Sequence, residues 1–237
     1  MSEVKSGILY GVGLGPGDPE LLTIKAHRLI SGAQVIAYPA LAGGDSLARS
    51  IAAGVIPGSA REFVLDVPMT VERAPAQAAY DAGAGEIAAA LSAGHDVVFL
   101  CEGDPFFYGS FMYLFARLAE RFQVEIVPGV TSMTACAAAT SLPLAARNEV
   151  LTIIPGPLDA AEMEARIASS DSLVIMKVGR HLGKIRAILE RQGLLERARY
   201  VERATMGNER VLPLERAPAP APYFSMILVT KGADPWL

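Results

Sequence analysis

The sequence predicts an α/β protein built as two α/β domains, and three observations carry that prediction. Short β-type runs alternate with longer, alanine-rich helical runs along almost the whole chain. Residues 96–101 (DVVFLC) form an apolar run without alternation, as expected of a strand buried on both faces of a parallel sheet. A glycine-rich turn directly follows the first β-type run, where open α/β sheets place their ligands.

Taken in order, residues 7–12 read as the first strand and 19–31 as the first helix. Residues 34–37 read as a strand and 46–53 as a helix. The next run, 61–65, has flanking prolines that put it at a sheet edge, because proline cannot donate to a ladder. Residues 76–93 have the length and composition of a helix, closed by Gly94. After the buried strand, 111–121 read as a helix. In the second half, 124–127, 150–154, 173–177, 199–202 and 226–230 read as strands, and 133–139, 161–168 and 182–192 as helices. The segment 213–222 (PLERAPAPAP) is too short for a flexible linker and reads as a loop between the last two strands. The simplest partition is 1–120 and 121–237.

With 237 residues the chain can bury a substantial core, and 51% apolar against 19% charged residues argues against disorder. A net charge of −4 lacks the basic footprint of phosphate recognition, so no nucleic-acid partner is expected. Cys101 and Cys136 make neither a disulfide framework nor a metal knuckle, which suits a reducing, cytoplasmic setting. No export signal is legible, and the longest apolar runs fall well short of the roughly 20 residues of a bilayer span. His27, His95 and His181 lack ligand spacing, so no metal site is expected.

The first candidate site is Gly11-Val12-Gly13-Leu14-Gly15-Pro16-Gly17-Asp18. Glycines let a backbone approach a ligand closely and adopt positive φ without Cβ strain. A dinucleotide turn, and with it an oxidoreductase, is one alternative. Against it, Pro16 stands where the third glycine should pack, and the second strand ends in Tyr38-Pro39 with no acid for a ribose. A merely structural turn is the other alternative, although four glycines and a proline in seven residues exceed what one turn demands. The second candidate is Glu102-Gly103-Asp104-Pro105-Phe106-Phe107-Tyr108-Gly109, directly after the buried strand. Its aromatic and small groups suit an adenosine or thioether, and its acids suit ribose hydroxyls or a positive charge. An Asp-Pro turn with aromatics packed into the core is the competing reading.

In this order and spacing the two motifs resemble those of the tetrapyrrole methylases, the class III S-adenosylmethionine (SAM) methyltransferases. Pro128-Gly129-Val130-Thr131-Ser132, residues 173–180 (LVIMKVGR) and residues 201–211 (VERATMGNERV) match in turn, so the resemblance spans nearly the whole chain. It implies a SAM-dependent C-methyltransferase with SAM in a cleft between two α/β domains, a small-molecule tetrapyrrole as acceptor, and a homodimer. Within the family, the MKVGR and ERATM–ER forms look most like members that methylate C20 of precorrin-2, metal-free or cobalt-bearing, in cobalamin biosynthesis. Uroporphyrinogen methylases tend to differ there and to carry glycine where Glu102 stands. Another position of a corrin precursor, or uroporphyrinogen III, is the alternative within the family, and a non-catalytic SAM sensor is a further one.

Carried over residue by residue, the resemblance implies Pro16 for the loop closing the floor of the SAM site. It implies Gly103, Asp104 and Phe107 for the segment after the buried strand, and Thr131 and Ser132 for the methionine end. Met176 or Lys177, with Ala204 and Thr205, would enclose the adenine. The acceptor's meso carbon is electron-rich and needs no activated serine or cysteine. Asp104 and Tyr108 are the catalytic candidates, with SAM binding the weightier duty for Asp104. A substrate with many carboxylates calls for arginine forks, and Arg147, Arg180 and Arg203 lie beside matched segments. Solvated surface charge is the alternative for each.

Overall fold

The unbroken apolar run becomes β4 (Val97–Cys101), a strand buried along its whole length. The computed structural model describes residues 5–41, 44–68 and 72–232. Its chain divides into two units, Met1–Thr131 and Ser132–Leu237.

In the first unit, β1 (Leu9–Gly13), β2 (Val35–Leu41), β3 (Arg61–Val67), β4 and β5 (Val124–Val127) form one sheet in the order β3-β2-β4-β1-β5. Every pairing is parallel. Helices α1 (Ile24–Ser31) and α2 (Leu47–Ala52) cover one face, where Ile30, Ala48 and Ile51 join Val12, Ile36 and Leu100. Helices α3 (Arg73–Ser92) and α4 (Phe111–Leu118) cover the other, where Ile87, Leu91 and Leu114 join Leu9 and Phe99. Residues of β4 feed the two clusters alternately: Val97, Phe99 and Cys101 enter one, Val98 and Leu100 the other. Coverage on both faces is the reason the run shows no alternation.

The helix expected over 19–31 is divided by two caps. Asp18 accepts from the Glu20 N–H at 2.8 Å and opens a single 3-10 turn, Pro19–Leu21. Thr23 then accepts from the Ala26 N–H at 3.1 Å and starts α1 afresh. β3 does lie at the sheet edge, as its flanking prolines imply. β1 leads to β2 on one side while its neighbour β4 leads to β5 on the other. Those opposed connections leave a crevice outside the carboxyl ends of the two strands.

The boundary expected at residue 120 moves to Thr131, because β5 pairs in parallel with β1 and so belongs to the first sheet. The second unit holds β6 (Leu151–Pro155), β7 (Ser172–Met176), β8 (Ala198–Glu202), β9 (Arg210–Pro213) and β10 (Ser225–Thr230), in the order β6-β7-β10-β8-β9. Only β6 and β7 are parallel. Helices α6 (Ala160–Ser169) and α7 (Leu182–Arg191) pack on one face through Met163, Ile167, Ile185 and Leu189. Helix α5 (Ser132–Thr140) packs on the other through Ala135 and Cys136. β9 was not expected. It is a four-residue edge strand with no buried residue, and an edge is where Pro213 is tolerated.

Edge strand β3 is tied down by charge. Arg49 donates from Nε and Nη2 to the two Glu62 oxygens at 2.7 and 3.0 Å, and the Tyr38 hydroxyl donates to Oε2 at 2.7 Å. The Arg49 bond, reinforced by Tyr38, holds the Glu62 carboxyl below its ordinary value of 4.5 against partial desolvation. A carboxyl depressed on folding stabilises above its unfolded value and loses that contribution as pH falls through the folded one. For a partly exposed pair the effect is about 0.2–1 kcal/mol. Glu62→Gln should therefore unfold at lower temperature than the parent at neutral pH. The two unfolding temperatures should converge as the pH is taken below that of the depressed carboxyl, and an undiminished gap there would contradict this account.

Candidate functional site

Three loops leave the carboxyl ends of β1, β4 and β5 and meet backbone to backbone. Gly15 and Gly103 form a two-residue antiparallel bridge, the Gly15 N–H donating to Gly103 O at 3.2 Å and the Gly103 N–H to Gly15 O at 2.8 Å. Both residues hold positive φ, +80° and +65°. A Cβ at Gly13 would stand 2.6 Å from the Gly129 nitrogen and 2.7 Å from the Gly103 oxygen, and one at Gly129 would stand 2.1 Å from that same oxygen. Glycine is therefore a steric requirement at both positions. Pro16, buried, follows directly in the first loop.

Asp104 pins this junction. Its Oδ1 accepts from the Phe106 and Phe107 N–H groups at 2.9 and 3.1 Å, and its Oδ2 accepts from the Gly129 N–H at 3.1 Å. Both carboxylate oxygens thus bond to backbone, and one of those bonds crosses from the β4 loop to the β5 loop. Spacing alone could not reveal this positioning duty. Phe107 packs edge-on against Tyr108 at 5.2 Å between ring centroids, and Tyr108 holds a left-handed φ of 56°. Burial raises the pKa of Glu102, partly offset by backbone N–H groups including that of Ala48. Burial likewise pushes the Cys101 thiol well up, with Glu102 and Asp104 adding to the effect, so this cysteine is no thiolate nucleophile.

Thr131 closes the first unit and Ser132 opens α5, whereas Met176, Lys177, Arg180, Arg203, Ala204 and Thr205 lie at or just after the ends of β7 and β8, and Arg147 lies in the segment before β6. Met176 and Ala204 are buried in one cluster with Ala135, Cys136 and Val201, beneath the helix that Ser132 begins. Gly156 donates to Met176 O at 2.7 Å, and a Cβ there would stand 2.5 Å from Lys177 O. Thr205 donates its N–H to Glu209 Oε2 at 2.6 Å. Glu202 is 2% exposed and accepts from Tyr200, Arg203 and Arg210. Arg147 and Arg180 are exposed.

Among the described residues six non-glycine positions have positive φ: Tyr108, Ser141, Arg147, Lys177, Arg203 and Thr205. All but Ser141 had been singled out from the sequence. Such backbone costs about 1–3 kcal/mol per residue and persists where the surroundings over-determine it, commonly at ligand sites. Sequence reading missed Gly156, Tyr200, Glu202 and Arg210 as parts of this arrangement. One signal was present, since Tyr200 and Glu202 are two apart on a strand and so share a face. Among the described residues there is no group of three or more His, Cys, Asp or Glu that could hold a metal, and no helix is long and apolar enough to cross a membrane.

Comparison with known proteins agrees with the geometry. The family model for Tetrapyrrole (Corrin/Porphyrin) Methylases matches residues 8–218. The chain is 46% identical to a precorrin-2 C(20)-methyltransferase of Sinorhizobium sp, with 99% of both chains covered. It is 36% identical to a cobalt-precorrin-2 C(20)-methyltransferase of Salmonella typhimurium, covering 95% of this chain and 97% of the other. Among solved structures, a uroporphyrin-III C-methyl transferase from Thermus thermophilus complexed with S-adenyl homocysteine superposes with a TM-score of 0.67. That enzyme is 28% identical, with 94% of this chain and 97% of the other covered.

The junction makes a prediction that contrasts two glycines. Gly129→Ala should destabilise by about 1–3 kcal/mol, the usual result of overpacking, because the clash is with backbone that has no rotamer to change. Gly85→Ala, in α3 with nothing within 4 Å, should stabilise by roughly 0.5–1 kcal/mol through helix propensity. Urea denaturation measures both, and equal effects at the two sites would refute the close-contact account.

Proposed function

The chain belongs to the tetrapyrrole (corrin/porphyrin) methylase family of SAM-dependent methyltransferases, and on that premise we propose that it methylates C20 of precorrin-2, or of its cobalt complex, in cobalamin biosynthesis. The observation that carries this reading is the likeness, over the whole length of both chains, to the Sinorhizobium C20 enzyme.

When bound, SAM supplies a methyl group activated by its sulfonium. The methyl would pass from sulfur to C20, the C20 proton going to solvent, to leave S-adenosylhomocysteine and a tetrapyrrole one methyl richer. The nucleophile belongs to the acceptor, so the protein's duties are alignment and exclusion of water. Alignment alone is worth about 7–11 kcal/mol in favourable intramolecular models. The residues present fit a reactive alkylating donor. Glycine backbone makes up the loop junction, Asp104 is engaged by three amides, and the Cys101 thiol stays protonated.

On this reading Pro16, Gly103, Asp104, Phe107, Thr131, Ser132, Met176, Lys177, Ala204 and Thr205 serve SAM, with Asp104 acting by holding its loops rather than by taking the proton. Tyr108, on its left-handed backbone, serves the acceptor side, as do Arg147, Arg180 and Arg203. The left-handed φ at Lys177, Arg203 and Thr205 supports these assignments. The same reading places the enzyme in the cytoplasm as a homodimer. Both cysteines are free and buried, which suits a reducing compartment, and light scattering on the purified protein tests the dimer.

Incubation with methyl-labelled SAM and enzymatically made precorrin-2 should add one methyl by mass and put the label at C20 by carbon NMR. Label at another ring position, or none, would overturn the assignment. S-adenosylhomocysteine, but not NAD, should raise the unfolding temperature. Asp104→Asn keeps an acceptor for Phe106 and Phe107 but loses the second carboxylate oxygen that receives the Gly129 N–H. It should lose about 1–3 kcal/mol of stability and bind S-adenosylhomocysteine more weakly. Unchanged affinity by calorimetry would remove Asp104 from the site.

A further inference from the structure

We propose that Arg203 and Arg210, gathered by the buried carboxylate of Glu202, form a fork that binds one carboxylate arm of the tetrapyrrole. The inference rests on the proposed acceptor and adds a residue, Arg210, and a mode of recognition. Glu202 closes β8 and is 2% exposed. Its Oε2 accepts from the Tyr200 hydroxyl at 2.7 Å, while Oε1 accepts from Arg203 Nη1 at 3.0 Å and Arg210 Nη1 at 3.4 Å. Pairing of β8 with β9 sets Arg210 directly across from Glu202. The left-handed backbone of Arg203, φ 53°, lets the residue after Glu202 reach the same carboxylate.

Charge balance points to a ligand. Within this network one carboxylate faces two guanidinium groups, whereas a single arginine would neutralise it. Glu209, the acid beside Arg210, is bonded to the Thr205 N–H instead. Each guanidinium has five N–H donors, and the bond to Glu202 uses one nitrogen of each. The two side chains are 35% and 53% exposed, and no other hydrogen bond engages their guanidinium groups among the described residues. A surplus positive charge on two planar forks, held in place from beneath by a buried acid, is the chemistry that takes a carboxylate in two parallel hydrogen bonds. An acceptor bearing acetate and propionate arms supplies that group.

The test uses the full chain carrying Arg203→Ala, Arg210→Ala or Arg210→Lys. Three quantities are read: KM for precorrin-2, the dissociation constant of uroporphyrin III (a stable octacarboxylate) by fluorescence, and that of S-adenosylhomocysteine by calorimetry. Either alanine variant should raise the KM and the uroporphyrin constant by about tenfold, as loss of one charge-assisted contact does. Affinity for S-adenosylhomocysteine and kcat should stay within about twofold. Arg210→Lys, which keeps the charge without the fork, should fall between. An unchanged KM, or an equal weakening of both ligands, overturns the proposal. Should the alanine variants fail to fold, Arg210→Lys at an unchanged unfolding temperature decides: a raised KM supports the fork and an unaltered one refutes it. If the parent enzyme does not methylate precorrin-2, the proposed function fails, and the uroporphyrin titration still judges the fork.

Discussion

The first unit depends on one contact: backbone against backbone where the loops after β1, β4 and β5 meet. Gly13 and Gly129 approach each other and the Gly103 carbonyl more closely than a side chain at either would permit, and the Gly15–Gly103 bridge and the Asp104 carboxylate hold the loops there. The sheet order makes the meeting possible. β1 and β4 are neighbours whose outgoing connections run opposite ways, and β5 returns to the other side of β1. The topology therefore puts a crevice outside the carboxyl ends of the central strands, and the glycine faces there are closed against one another's backbone.

The second unit solves a different problem with different means. Its sheet is mixed, and the segments after β7 and β8 are held in left-handed conformations by residues that are not glycine. Conformations of that kind need anchoring. The Thr205 amide is held by Glu209, and Arg203 is drawn to the buried Glu202. Burying a carboxylate without partners would be prohibitive, so Tyr200, Arg203 and Arg210 are as much a condition of the fold as a feature of the surface.

Much of this was legible in order of chain. DVVFLC reads as a doubly covered strand because its residues alternate between two apolar clusters, and the flanking prolines put β3 at an edge. The glycine loop stands out because neither a dinucleotide turn nor an ordinary turn accounts for its composition, and the GDP segment because two acids, a glycine and three aromatics directly follow the buried strand, although an Asp-Pro turn competes there. Less legible were features set by single local bonds. Asp18 and Thr23 split one expected helix into a turn and α1, and a run as short as Arg210–Pro213 carries too little pattern to announce an edge strand.

By itself, then, the sequence determined the α/β class, two glycine-bearing loops that follow β1 and β4, and the family whose motifs they share. These depend on residue type and spacing along the chain, which are local properties. The tertiary structure alone decided that β5 completes the first sheet, that Asp104 joins two loops through the Gly129 amide, and that Arg210 shares a carboxylate with Arg203. Each of these is a pairing between residues separated along the chain, fixed by strand order and register, and no spacing rule encodes which partner a backbone amide or a guanidinium will meet. The glycine loop was visible in the sequence as a run that one turn does not explain. Its fit to the other two loops, atom against atom, came only with the fold.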